Sequence, residues 1–456
     1  FVVLAFAVFV VVPFGAYRSL STEHEERTFE LLSISALQPR QIIAGKLLSA
    51  IIQMFLYFSA TAPYMGFTLL LKGIDVPSIL LVLFASVLAS IGFSMISLLL
   101  AALARRRGWQ VFLSVAIITA LLFATVVSFF LVASALMFMG PVMREPLFWT
   151  LLATLLTIYV TYFALAFQLS AAQLTFEADN RSSKVRAALV IQFLVALGWA
   201  AYWCVVSGSG FVFVLITLSC LFFAHWFVVG AFLTAETPGF SKRVARQVPR
   251  RKYWRSIMAL LLPGPGTGMG FLLSNLICLV AMVALGELTI DLLVPPTTTP
   301  PAVGTPRRPS AFAVVAASYV FLYCGLGGMG VRLLRRWRRV PILAGAAITW
   351  LIAAIGILVP SFFALVLPDH QFRDYRIWQI TDPIATLAEI LDGSKFQAAL
   401  VIIPCGLAAL VGLMNLRVMA EAANEIHAAG QSVVYARDSN ARSESRNVEA
   451  ASSPDH

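Results

Sequence analysis

Apolar stretches of about 20 or more residues recur along most of this chain, and each is long enough to cross a roughly 30 Å hydrocarbon core as a helix. That feature fixes the solvent. In lipid no water satisfies backbone N–H and C=O groups, so such segments fold as helices that bond internally. Composition agrees, since 60% of the 456 residues are hydrophobic and 12% are charged, whereas a soluble domain carries roughly half and a quarter. The chain reads as an all-α, polytopic helical membrane protein.

Apolar runs bounded by charge or by Gly and Pro predict eleven spans, near 1–17, 47–71, 79–104, 109–139, 147–170, 187–207, 211–233, 268–292, 311–331, 341–367 and 397–416. Phe1 already lies inside an apolar run, so a lost upstream helix is expected, making twelve. Lys and Arg test the threading, because they gather near cytoplasmic span ends. With Arg18 placed inside, only Lys72, Arg144, Arg307, Arg308, Arg373, Arg376 and Lys395 fall outside, leaving 26 of the 33 basic residues on the cytoplasmic face. A missed or spurious span would invert that bias downstream.

The net charge of +11 does not imply nucleic acid, because the basic residues sit in short clusters between apolar segments with no interleaved aromatic surface. Cys204, Cys220, Cys278, Cys324 and Cys405 lie inside apolar segments without paired spacing, which supports neither a disulfide framework nor a zinc site.

Three regions are expected: a module over 1–170 with a cytoplasmic connection at 18–46, a second helical module over 171–416, and a cytoplasmic tail over 417–456. With the lost helix, the first two would be six-helix modules. In the tail, a short helix (Val418 to Ala429) should give way to polar chain without fixed structure. Two outside loops are long. Pro295, Pro296, Pro300 and Pro301 make 293–310 a stiff connector, and 368–396 carries Asp382-Pro383 and a helix-like stretch, Ile384 to Leu391, that reads as interfacial or re-entrant.

The connection 18–46 is too patterned for a simple turn. Thr22 with Glu25 has capping-box spacing, and Glu23, Glu25 and Glu26 suit a first helical turn. Phe29, Leu31 and Leu32 follow, then Pro39 fits the first turn of a second helix leading through Ile42, Ile43, Gly45 and Lys46 into the next span. A short amphipathic surface helix, a turn and a re-entry are predicted.

Here the sequence resembles the ABC-2 type permease family of exporters. The match runs Glu25-Glu26-Arg27-Thr28-Phe29-Glu30-Leu31-Leu32, then Ser35 to Ile43 through Pro39-Arg40, then Ala44-Gly45-Lys46-Leu47-Leu48. It parallels the family's charged pair, Gly-Thr-Leu-Glu-Leu-Leu, small-Pro-Leu turn and Gly-Lys-Leu. Arg27 stands where the family usually has Gly, and Glu26 where it often has Arg. The resemblance implies that Glu25, Glu26, Arg27, Thr28, Glu30, Leu31, Leu32, Pro39, Arg40, Gly45 and Lys46 form the coupling element on a separate ABC ATPase subunit. That subunit would bind ATP and Mg, so this chain would be neither an enzyme nor a cofactor holder. It also implies a multi-pass cell-membrane protein contacting lipid, in the cytoplasmic membrane of a bacterium, with a homodimer expected if one chain supplies only half a pathway.

The chain has no Gly-x-x-x-x-Gly-Lys-Ser/Thr phosphate loop. Gly325, Gly327 and Gly330 match Gly-x-Gly-x-x-Gly inside an apolar span, where small residues serve helix packing. A secondary transporter is the alternative, but His225 is the only ionisable residue well inside a span and reads as a packed residue. A membrane-embedded lipid-modifying enzyme would need converging acids, histidines or a nucleophile, and His24, His225, His370, His427 and His456 are scattered. Gln53, Gln192 and Asn275 are candidates to line a pathway or to bond across helices.

Overall fold

A computed structural model describes residues 2–25, 37–71, 76–104, 107–176, 179–207, 211–237, 241–249, 251–293, 309–366, 375–392 and 397–452. Every regular element among them is helical, and eleven helices are long and apolar enough to cross a membrane. The protein is an all-α polytopic membrane protein, as the apolar runs require.

The chain divides into two compact units, one of Phe1–Glu177 with Lys184–Ala196, the other of Ala178–Ser183 with Leu197–His456. In the first, α1 is a continuous rod made of Val2–Phe6, a π-helical turn at Ala7–Val11, and Val12–Glu25. It is followed by α2 (Pro39–Leu71), α3 (Val76–Leu103), α4 (Arg107–Val142) and α5 (Pro146–Leu174). Helix α6 (Ser183–Val206) is shared between the units.

Ser86, Ser90, Ser94 and Ser97 are buried on α3, and small side chains let membrane helices approach closely. Ser90 Oγ donates to the Val8 carbonyl at 2.7 Å, where the π-turn loosens the i→i+4 ladder and leaves an acceptor. Phe9 meets Phe93 edge to face at 5.7 Å. On the other side of α3, Tyr159 donates to Leu88 O at 2.7 Å, and a Cβ at Gly92 would stand 3.0 Å from that ring.

The second unit contains α7 (Phe211–Thr234), the short α8 (Lys242–Ala245) and α9 (Lys252–Ala259), α10 (Pro265–Leu293), α11 (Pro309–Arg335), α12 (Ile342–Val366), α13 (Pro383–Asp392) and α14 (Gln397–Ser452). Helix α11 is its centre: 72% of its apolar window is buried, against 22–44% for the other spans lying wholly in this unit. Glycines allow that density. A Cβ at Gly325 would stand 2.5 Å from Val411 Cγ1, and one at Gly327 would overlap the Thr349 side chain. The Gly-x-Gly-x-x-Gly run thus includes close-packing positions on a helix.

Two expectations change. Thr22 and Glu25 do not open a new helix, because α1 continues through them and Thr22 Oγ1 donates to Arg18 O at 2.9 Å, one turn back. Nothing in Arg18 to Glu25 breaks a helix, so the rod simply outlasts its apolar part. The tail, expected to lose fixed structure after Ala429, stays helical to Ser452, where several Ala, Arg and Glu residues are good helix formers. Just past the span, this extension packs on the connection before α10. Ile426 joins Val244, Val248 and Leu262 in a small core, and a Cβ at Gly266 would stand 2.5 Å from Val418 O.

Candidate functional site

Helix α1 ends at Glu25 and α2 starts at Pro39. Of the coupling residues inferred from sequence, Glu26, Arg27, Thr28, Glu30, Leu31 and Leu32 lie outside the described residues, as does the Glu25 side chain. Pro39, Arg40, Gly45 and Lys46 are described. They define the junction on which the connection is mounted.

Pro39 takes the first position of α2, where its missing N–H costs nothing. Gln38 N donates to Gln41 Oε1 at 2.9 Å, and Gln38 O accepts from Gln41 N at 2.8 Å and Ile42 N at 3.3 Å, so the first turn is closed locally. Further along, Lys46 Nζ donates to Glu23 Oε1 at 2.7 Å and to Ser19 O at 2.9 Å. Both partners lie in the last turns of α1, where carbonyls point outward and a cation is favoured. The pair is largely enclosed, with side-chain exposures of 15% and 27%.

Arg40 NH2 donates to Gln168 Oε1 of α5 at 2.7 Å, and Tyr17 OH donates to Gln110 O of α4 at 2.9 Å. Four helices are therefore fastened at one end by polar bonds that bracket the connection. Glu23, read from the sequence only as part of a first helical turn, is turned inward to Lys46. Gly45 is exposed with open space around it, and nothing in the structure explains a glycine there.

The second unit carries a comparable junction. Glu236, after α7, accepts from Ser182 Oγ at 2.6 Å and from Gly264 N at 2.8 Å, and Gly264 adopts φ +138°, a left-handed backbone that suits glycine. Arg335, at the end of α11, donates to the Glu236 and Ala235 carbonyls, capping α7. Sequence reading counted Arg335 only as a topology charge.

The segment 375–392 is also more than a surface helix. Asp382 is buried and caps α13, its Oδ1 accepting from Ile384 N at 2.8 Å and Ala385 N at 3.3 Å, while Ser361 of α12 donates to Oδ2 at 3.4 Å. Tyr319 OH donates to Thr386 Oγ1 at 3.0 Å, and Tyr323 OH donates to Thr381 O. Those tyrosines lie 10 and 14 residues from the Pro309 end of α11, roughly 15 and 21 Å along a helix. The segment therefore packs against α11 well in from its Pro309 end, with Asp382 buried beside α12.

Among the other polar candidates, Asn275 bonds within its own helix, Nδ2 donating to Phe271 O at 2.8 Å. Gln192 is buried with neither amide atom bonded among the described residues. His225 rests edge to face on Trp226 at 5.4 Å. No family model, curated protein or solved structure matches the chain.

Proposed function

We propose that this chain is the membrane-spanning permease subunit of an ATP-driven exporter of the ABC-2 type. On this reading the connection between α1 and α2 rests on a separate ATPase in the cytoplasm. One observation carries it: a connection with the family-like pattern of residues 25–48 is mounted on helix ends clasped by Lys46 through Glu23 and Ser19. A push on the connection moves α1 and α2 as one body, and the Arg40 and Tyr17 bonds pass it to α5 and α4. Nucleotide hydrolysis and its Mg belong to the partner. The location proposed is the cytoplasmic membrane of a bacterium.

Copurification with an ATPase subunit, followed by reversal of Glu26 and Glu30 to Lys, tests this. The variant should insert normally and lose stimulated ATP hydrolysis. Unchanged hydrolysis by the purified complex would remove the docking assignment.

An ion-coupled carrier is the second reading, and Asp382 is the observation that favours it, since it is an acid buried against a spanning helix, and acids within spans commonly serve ion movement. Its oxygens bond as a helix cap, which gives it a structural role without transport. Transport driven by an ion gradient in the absence of ATP, and lost in Asp382→Asn, would establish the carrier instead.

A further inference from the structure

An open cleft of about 970 Å³ lies in the first unit between the start of α3, the α4–α5 turn and the start of α5. That volume is at the upper end for small-molecule sites. Its walls are Leu80 and Phe84 of α3 and Trp149 and Leu152 of α5, with Met143 and Arg144 at the rim. Leu80, Phe84 and Trp149 are each about half exposed or more, at 60%, 49% and 55%.

The polarity is graded along the cleft. Phe84 lies eight residues into α3 from Val76, about 12 Å by helical rise, so the apolar wall runs well into the hydrocarbon. Trp149 Nε1 donates to Met143 O at 2.9 Å, which holds an amphipathic ring at the rim where such rings favour the membrane interface. Arg144 is exposed, and its guanidinium forms no bond or ion pair among the described residues. Among the described residues no carboxylate lines the cleft, and the neighbouring Glu145 stands outside it.

We propose that this cleft binds an amphiphile with an anionic headgroup, the acid on Arg144 and the chain along Leu80, Phe84 and Leu152. The pairing is charge complementarity at the rim and apolar contact below it. It holds whether or not an ATPase drives the protein. The ligand chemistry is shared by a resident phospholipid and by a free acidic amphiphile.

The test uses the full chain purified in mild detergent, offered equal phosphatidylglycerol and phosphatidylcholine, with bound lipid counted by native mass spectrometry. Phosphatidylglycerol should be retained in roughly fivefold preference, the worth of about one basic side chain against an anionic headgroup. Arg144→Gln should lose the preference and Arg144→Lys should keep it. Leu152→Trp, which fills the cleft without touching the charge, should lower retention of both lipids.

Competition with oleate separates the sources: displacement marks a single-chain acid and retention a phospholipid, and both keep the site. Equal retention of the two lipids by the unaltered chain, or an unchanged preference in Arg144→Gln, would overturn it. So would spontaneous disulfide dimerisation through Trp149→Cys with loss of bound lipid, which would assign the cleft to a second copy.

Discussion

At the scale of single residues, the close contacts of α11 set up a comparison on one helix. A Cβ at Gly327 would overlap Thr349, which packs from α12, whereas one at Gly330 would meet Ile348 Cγ2 at an ordinary 3.5 Å. Overpacking a filled interior costs roughly 1–3 kcal/mol. Gly327→Ala should therefore unfold at clearly lower temperature in detergent, while Gly330→Ala should stay near the parent or rise, because alanine suits a helix better. Equal melting temperatures for the two would show that α11 and α12 do not approach as described. The Lys46 clasp makes a second residue-scale prediction. Because it is partly enclosed, the Lys46–Glu23 pair should show a coupling of roughly 0.5–1 kcal/mol in a double-mutant cycle of Lys46→Met and Glu23→Gln, discounted for solvent screening. Additive effects would mean that α1 and α2 are not joined there. The single Lys46→Met change should also reduce ATPase stimulation more than Arg18→Gln, whose parent side chain is exposed on the same helix end.

At the scale of elements, α13 tests whether the segment 377–392 is held from its own cap or from its neighbours. Asp382 supplies the acceptor for two of the first amides, and removing an N-cap side chain costs roughly 0.5–2 kcal/mol. Asp382→Ala should accelerate amide exchange first at Ile384 and Ala385 and then through Asp392, leaving α11 and α12 protected. Tyr323→Phe should loosen the preceding 3₁₀ turn, Ile377–Thr381, by removing the donor to Thr381 O. Unchanged exchange over 377–392 in both variants would show the segment is fixed by contacts other than these. This element also marks the limit of sequence reading. The long spans were legible because length and apolarity suffice for them, and Asp382-Pro383 announced a helix start. The packing of that helix on α11 was not legible, because its partners lie 58 to 67 residues away in a span that otherwise looks ordinary. Thr22 and Glu25 erred the opposite way, since a capping spacing marks a helix start only where the preceding chain is non-helical. At the candidate site, Lys46 was visible as part of a family-like motif, yet its partner Glu23 lies 23 residues earlier across a helix reversal, and no local pattern pairs the two.

At the scale of the whole molecule, two compact units each hold about half of the eleven spans, and each has a polar junction at helix ends: Lys46 with Glu23 between the consecutive α1 and α2 in one, Arg335 of α11 with the Glu236 carbonyl after α7 in the other. A two-module chain places both junctions, and so both connections, on the same side of the membrane, which makes side of exposure the decisive measurement. Lys and Arg orient such chains through short flanking loops, irrespective of Asp and Glu, and that rule predicts 18–46, 105–108, 234–256, 332–339 and the tail in the cytoplasm and 73–78, 140–146, 293–310 and 368–396 outside. Glu145, Arg338 and Gln38 are exposed. In a cysteine-free background and intact cells, Glu145→Cys and Thr298→Cys should react with an impermeant thiol reagent, and Gln38→Cys and Arg338→Cys should react only after the membrane is opened. Labelling of Gln38→Cys but not Arg338→Cys from outside would place the two junctions on opposite faces. One class of ATPase could not then serve both, and the two-module arrangement would fall while the eleven-span fold stood. If both stay inside, counting subunits in the solubilised complex completes the test, because one chain for each pair of ATPases fits two modules and two chains fit a homodimer.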